Sequence, residues 1–128
     1  MAISIYYAAR RKAPLSSNEI AAIQEIVRRY SVDDQIERLL SLGTGLNWES
    51  FGYSTNLEPS RFLKKGLVLW GSTKLPDNQE EASWIGVQHW CKCLSEIRLS
   101  VSGCEWNVAV EDHEIRWDAV LNSYDPTL

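Results

Sequence analysis

Little in this chain is suited to cross-linking, membrane insertion or cofactor chemistry. Its three cysteines, Cys91, Cys93 and Cys104, are an odd number and form no disulfide framework. A chain of this length needs no disulfide to hold its core, so free thiols are expected. No apolar run is long enough to span a bilayer, which argues against a membrane protein. The stretch from Met1 to Arg10 alternates apolar and polar residues and lacks the basic start and continuous apolar core of a secretory signal, so a cytoplasmic location is expected. Net charge is −4, without the clustered basic surface that polyanion binding requires, and nucleic acid is not the expected partner. Gly66, Gly71 and Gly86 compose no phosphate-binding loop, and no dinucleotide fingerprint occurs.

Two histidines restrict imidazole chemistry to His89 and His113. His89-x-Cys91-x-Cys93 contains zinc-type ligands, but on a helix residues two apart point about 200° apart. Cys91 therefore faces away from the other two; it is read as a core residue, Cys93 as incidental, and neither metal nor cofactor is expected. His113 lies in an acidic turn with Glu111, Asp112 and Glu114, the one place where a small single-histidine enzyme, centred on residues 111–118, has the right residue types. No second catalytic signature accompanies it.

What is present is ordinary globular patterning with an unusual load of six Trp in 128 residues. One α+β domain spanning 1–128 is expected. Ile3, Ile5 and Tyr7 alternate with Ser4 and Tyr6, predicting a strand over about 2–9. Ser16 followed by Glu19 is a capping box, with Leu15 and Ile20 as its hydrophobic staple. The helix it opens runs through Ile20, Ile23, Val27 and Tyr30. A short helix is predicted over 33–42, stopped by Gly43. Residues 43–64 support no assignment. The run Leu67-Val-Leu-Trp-Gly-Ser-Thr favours a strand. A long helix over about 78–99 has Val87, Trp90, Cys91, Leu94, Ile97 and Val101 on its inner face. Cys104, Trp106, Val108 and Val110 then alternate with polar neighbours, and Ile115 and Trp117 return as a hairpin. This order predicts a two-layer sandwich, helices on one face of a mostly antiparallel sheet, with a ferredoxin-like arrangement as the best single topology.

Charge is uneven: residues 1–30 carry five Lys/Arg against two Glu, and residues 104–128 six Asp/Glu against Arg116. Arg10-Arg11-Lys12 reads as a solvated loop. The acidic set Glu111, Asp112, Glu114 and Asp118 is either a solvated turn or the docking surface for a basic partner. Trp90, Trp106 and Trp117 fit inward positions, whereas Trp48, in a polar glycine-rich stretch, and Trp84, at the edge of a helical apolar face, are candidate exposed anchors.

Several segments together resemble small bacterial immunity proteins, which neutralise toxins of contact-dependent or related competition systems. They are Ile5-Tyr6-Tyr7-Ala8-Ala9-Arg10 before the Leu15-Ser16-capped helix, Trp90-Cys91 with Glu96-Ile97-Arg98, Trp106-x-Val108-x-Val110, and Ile115-x-Trp117-Asp118 with Tyr124-Asp125-Pro126. The resemblance implies a non-enzymatic inhibitor whose partner is a cognate toxin with a basic surface, for instance a nuclease. It transfers no site residue, because such proteins share no toxin-binding motif. The competing readings are the His113 enzyme and an adaptor or subunit of a host complex.

Overall fold

The computed structural model describes residues 3–56 and 66–128. Alternation in the first strand, β1 (Ser4–Arg10), sends Ile5, Tyr7 and Ala9 into the core and leaves Tyr6 and Arg10 exposed on the other face. With one face apolar and the other mixed, β1 takes the middle of the sheet. It pairs antiparallel with β3 (Leu67–Lys74) on one side and with β4 (Glu105–Val110) on the other. Two-residue strands, β2 (Ser54–Thr55) against β3 and β5 (His113–Glu114) against β4, complete the antiparallel order β2-β3-β1-β4-β5.

Two helices interleave with these strands as β1-α1-β2-β3-α3-β4, with β1 seated between β3 and β4. This is the ferredoxin-like split βαβ that the sequence predicts. Helix α1 (Ser17–Arg29) buries Ile23 and Ile26, and helix α3 (Ala82–Ser100) packs beside it on the same face. The short helix α2 (Asp33–Leu42) lies between α1 and β2; it ends at Gly43 in the left-handed conformation (φ 70°) and buries none of its own residues.

The capping box forms as expected: Glu19 N–H donates to Ser16 Oγ (3.1 Å), and Ser16 N–H to Glu19 Oε1 (2.8 Å). Its neighbour Arg11 corrects the reading of 10–12 as a solvated loop. The Arg11 side chain is only 12 % exposed and donates to both Glu19 carboxylate oxygens and to the carbonyls of Ala13, Pro14 and Ser102. A planar fork of N–H donors meets five acceptor atoms here, joining the end of β1, the start of α1 and the segment after α3.

Helix α3 is buried on more than one side. Its inner face holds Val87, Trp90, Cys91, Leu94 and Ile97 as predicted, but Cys93, read as incidental, is also fully buried. A second, two-stranded sheet, β6 (Arg116–Asp118) with β7 (Ser123–Asp125), covers the side of α3 that carries Cys91 and Ser95. The chain leaves the main sheet at Ile115, so the predicted returning strand is split in two. Buried Ser95 holds β7 in place, donating to the Cys91 carbonyl (2.6 Å) and accepting from Tyr124 N–H (2.9 Å). Arg98 lies 4.2 Å from the centre of the Trp117 ring and donates to Tyr124 Oη.

Residues 43–56, part of the unassigned segment, form a strap across β3. Phe51 stacks on Tyr7 at 4.7 Å, and the Tyr7 hydroxyl bonds to the Gly52 carbonyl and to Thr73 Oγ1. The strap approaches β3 closely enough that a Cβ on Gly71 would lie 2.8 Å from Tyr7 Cε2 and 3.0 Å from Tyr53 Cα. Asn47 ties the strap's other end to Asp77 and Asn78.

Candidate interaction surface

The β4–β5 connection is a tight turn in which Val110 faces His113 across two loop residues, Glu111 and Asp112. Glu111 carries a φ of 52° and is held to β1 from both ends: its N–H donates to the Ser4 carbonyl (3.2 Å), and its Oε1 accepts from Ser4 N–H (3.0 Å). Asp112 and Glu114 are exposed, and among the described residues neither side chain has a hydrogen-bond or ion-pair partner.

Trp84, 40 % exposed at the start of α3, is brought beside this turn by packing of α3 on the same face of β4 that carries Val110. Its ring borders an apolar depression of about 170 Å³ with Val87, Val110, His113, Ile115 and Pro126. On its other flank, a groove of about 260 Å³ runs past Gln88, Lys92 and Asp125. Trp84 and Pro126 belong to both, so the ring is a ridge between two hollows. The Thr127 hydroxyl and N–H hold the Asp125 carboxyl below its usual range, so the groove keeps a carboxylate.

Of the predicted anchors and acidic residues, the structure thus brings Trp84 beside the turn that carries Glu111 and Asp112, whereas Glu114, paired with Ala109, points to the face of the sheet opposite Val110 and His113. Asp118 stands apart: half-buried in β6, its Oδ1 accepts from Val120 and Leu121 N–H as a turn cap. Trp48 is not an exposed anchor. It is half-buried, its ring 5.1 Å from His89 and 6.0 Å from Trp90, because the strap carrying it folds inward. Trp90 is fully buried as expected, while Trp106 and Trp117 pack partly buried on the core.

The two histidines sit in different surroundings. His89 packs edge-on against Tyr30, Trp48 and Trp90, with Nε2 2.8 Å from the Tyr30 carbonyl, and burial pulls its pKa down. His113 is exposed, lines an apolar hollow and, among the described residues, bonds to no carboxylate. No group of three His, Cys, Asp or Glu suited to a metal occurs among the described residues. Likewise, no helix there is long and apolar enough to cross a membrane.

The sequence named both halves of this surface without joining them, since Trp84 and Glu111 are far apart in the chain. Trp84 and Val87 share one helix face, and Val110 and Ile115 flank the turn, but only the docking of α3 on β4 makes them neighbours. The chain matches no family model, no curated protein and no solved structure.

Proposed function

We propose that this protein acts by binding, as an immunity-type inhibitor of a protein toxin with a basic surface, through the ridge formed by Trp84 and the acidic β4–β5 turn. One observation carries the reading: a large aromatic ring stands half-exposed between two hollows, beside a turn whose carboxylates form no ion pair among the described residues. An aromatic anchor of this kind supplies most of the affinity of a protein interface, while surrounding charge sets partner choice and association rate. The resemblance to immunity proteins supports an inhibitor over a host-complex adaptor. An adaptor would use the same ridge, and the partner's identity separates the two.

The test is calorimetric titration with the toxin domain encoded beside the gene, in parallel with an assay of that toxin's activity. The native protein should bind one-to-one and abolish toxicity. Trp84→Ala should weaken binding by about 30-fold or more, the scale of an interface hot spot. Asp112→Lys should slow association and flatten its salt dependence. If both variants bind like the native protein, this ridge is not the interface.

A further inference from the structure

The face of the sheet opposite the helices carries no element among the described residues, and it is a second candidate surface, independent of the Trp84 ridge. Tyr6 stands on it 45 % exposed, beside a shallow apolar trough of about 430 Å³ floored by Ala8, Gly71 and Ala109 and walled by Trp70. Its charges divide by side. The cations Arg10 and Lys74 belong to β1 and β3; the carboxylates Glu105 and Glu114 belong to β4 and β5. A partner of a single sign would be repelled by one half of such a face.

The geometry points to a second copy of this chain as the occupant, packed sheet to sheet about a two-fold axis that runs between β1 and β4, parallel to them. Such an axis places every residue of one strand over the other copy's version of its own cross-strand neighbour. In the observed register Tyr6 pairs with Ala109, Ala8 with Asn107, and Arg10 with Glu105. Across the two-fold, the projecting Tyr6 ring therefore seats on the small Ala109 of its mate, and Arg10 meets the mate's Glu105. Each contact is made twice. The next strands out follow the same rule: β3 passes over β5, with the small Ser72 over Glu114. Large meets small and cation meets carboxylate with no rearrangement of either sheet, as aligned sheet packing requires.

Association along the sheet edges is a poorer alternative, since the edge strands β2 and β5 offer two residues each. Three strands of 8, 7 and 6 residues and two of 2, about 4.8 Å apart with a rise of about 3.3 Å per residue, give a footprint of roughly 400 Å² per copy. That is about half of a standard interface, so the dimer is a weak one in rapid exchange.

Sedimentation equilibrium on the native protein, from about 10 μM to about 1 mM as a weak interface requires, reads this directly. The average mass should rise from 14.6 kDa towards twice that value. Arg10→Glu and Glu105→Arg chains should each associate at least about 10-fold more weakly, a single lost charge pair being enough for that. An equimolar mixture of the two should recover association, because only the mixed pair sets opposite charges face to face. Tyr6→Ser, at an exposed position, should also lose it while keeping the native circular dichroism. A native protein that stays monomeric throughout overturns the inference. So does a dimer indifferent to Tyr6→Ser, or a mixture that behaves like its separate components. None of these readouts involves a toxin, so this inference and the Trp84 reading stand or fall separately.

Discussion

Replacing Gly71 by Ala would test the packing of the strap over β3 with a single carbon atom. The added Cβ would overlap the Gly52 carbonyl oxygen and approach Tyr7 Cε2 to 2.8 Å and Tyr53 Cα to 3.0 Å; two of these three atoms are backbone and cannot rotate away. The strap must therefore lift. Overpacking of this kind costs about 1–3 kcal/mol. Lifting also weakens the Tyr7–Phe51 stack, about 0.5–1.5 kcal/mol, and the bonds that the Gly52 carbonyl accepts from Tyr7 and the Gly52 N–H donates to Thr73 Oγ1, about 1 kcal/mol. Ala restricts the unfolded chain, which returns about 0.4–1 kcal/mol. The expected net loss is about 2–4 kcal/mol, or on the order of 10 °C in Tm for a domain of this size. Urea melts followed by Trp fluorescence provide the assay, since Trp48 and Trp90 report on the strap directly. Gly103→Ala is the comparison: there a Cβ meets nothing within 4 Å, and only a φ of 74° opposes it, so about 1–2 kcal/mol is expected. A Gly71→Ala protein within about 0.5 kcal/mol of the native one would refute the close approach of strap and strand, because a typical surface change costs no more than that.

The Arg11 corner makes a prediction about acid. Hydrogen bonds from Arg11, reinforced by Ser16 N–H, pull the Glu19 carboxyl from 4.5 down to about 2. A folded-state pKa below the unfolded one means the contribution is complete above about pH 4.5 and is lost as pH falls towards 2, so Glu19→Gln should lower stability at pH 6 and flatten its fall over that window. Arg11→Lys keeps the charge but cannot reach both carboxylate oxygens and three carbonyls; urea titration should show a loss of about 1–3 kcal/mol, as for charged groups left without partners. His89 adds a milder loss on the acid side, because burial lowers its pKa below 6.5 and protonation then favours the unfolded chain; His89→Gln should remove that part of the pH dependence. Ser95→Ala strands the Tyr124 N–H, costing about 1–3 kcal/mol, and hydrogen exchange should show β6 and β7 opening before the main sheet.

What the sequence determined by itself is local. Ser16 and Glu19 bound each other within one turn, the period of Val87, Trp90, Leu94 and Ile97 marked the inner face of α3, and alternation in Ile3, Ile5 and Tyr7 identified a strand, of which Ile5 and Tyr7 are buried and Ile3, ahead of β1, is exposed. These signals depend on residues within a turn or two of each other, where backbone geometry alone fixes which side chains share a face. The tertiary structure decided everything that depends on a partner far along the chain. Arg11 reads as a solvated cation until Ser102 and Glu19 converge on it. Cys93 falls off the predicted face of its helix and is buried all the same, since more than one side of α3 is covered. Trp48 turns inward because Gly71 leaves room for its strap, and β2, only two residues long, exists because β3 offers it an edge. For the same reason Trp84 and the acidic turn became one surface: burial rewards contact irrespective of chain separation, so which apolar face finds which is settled by packing, not by local pattern.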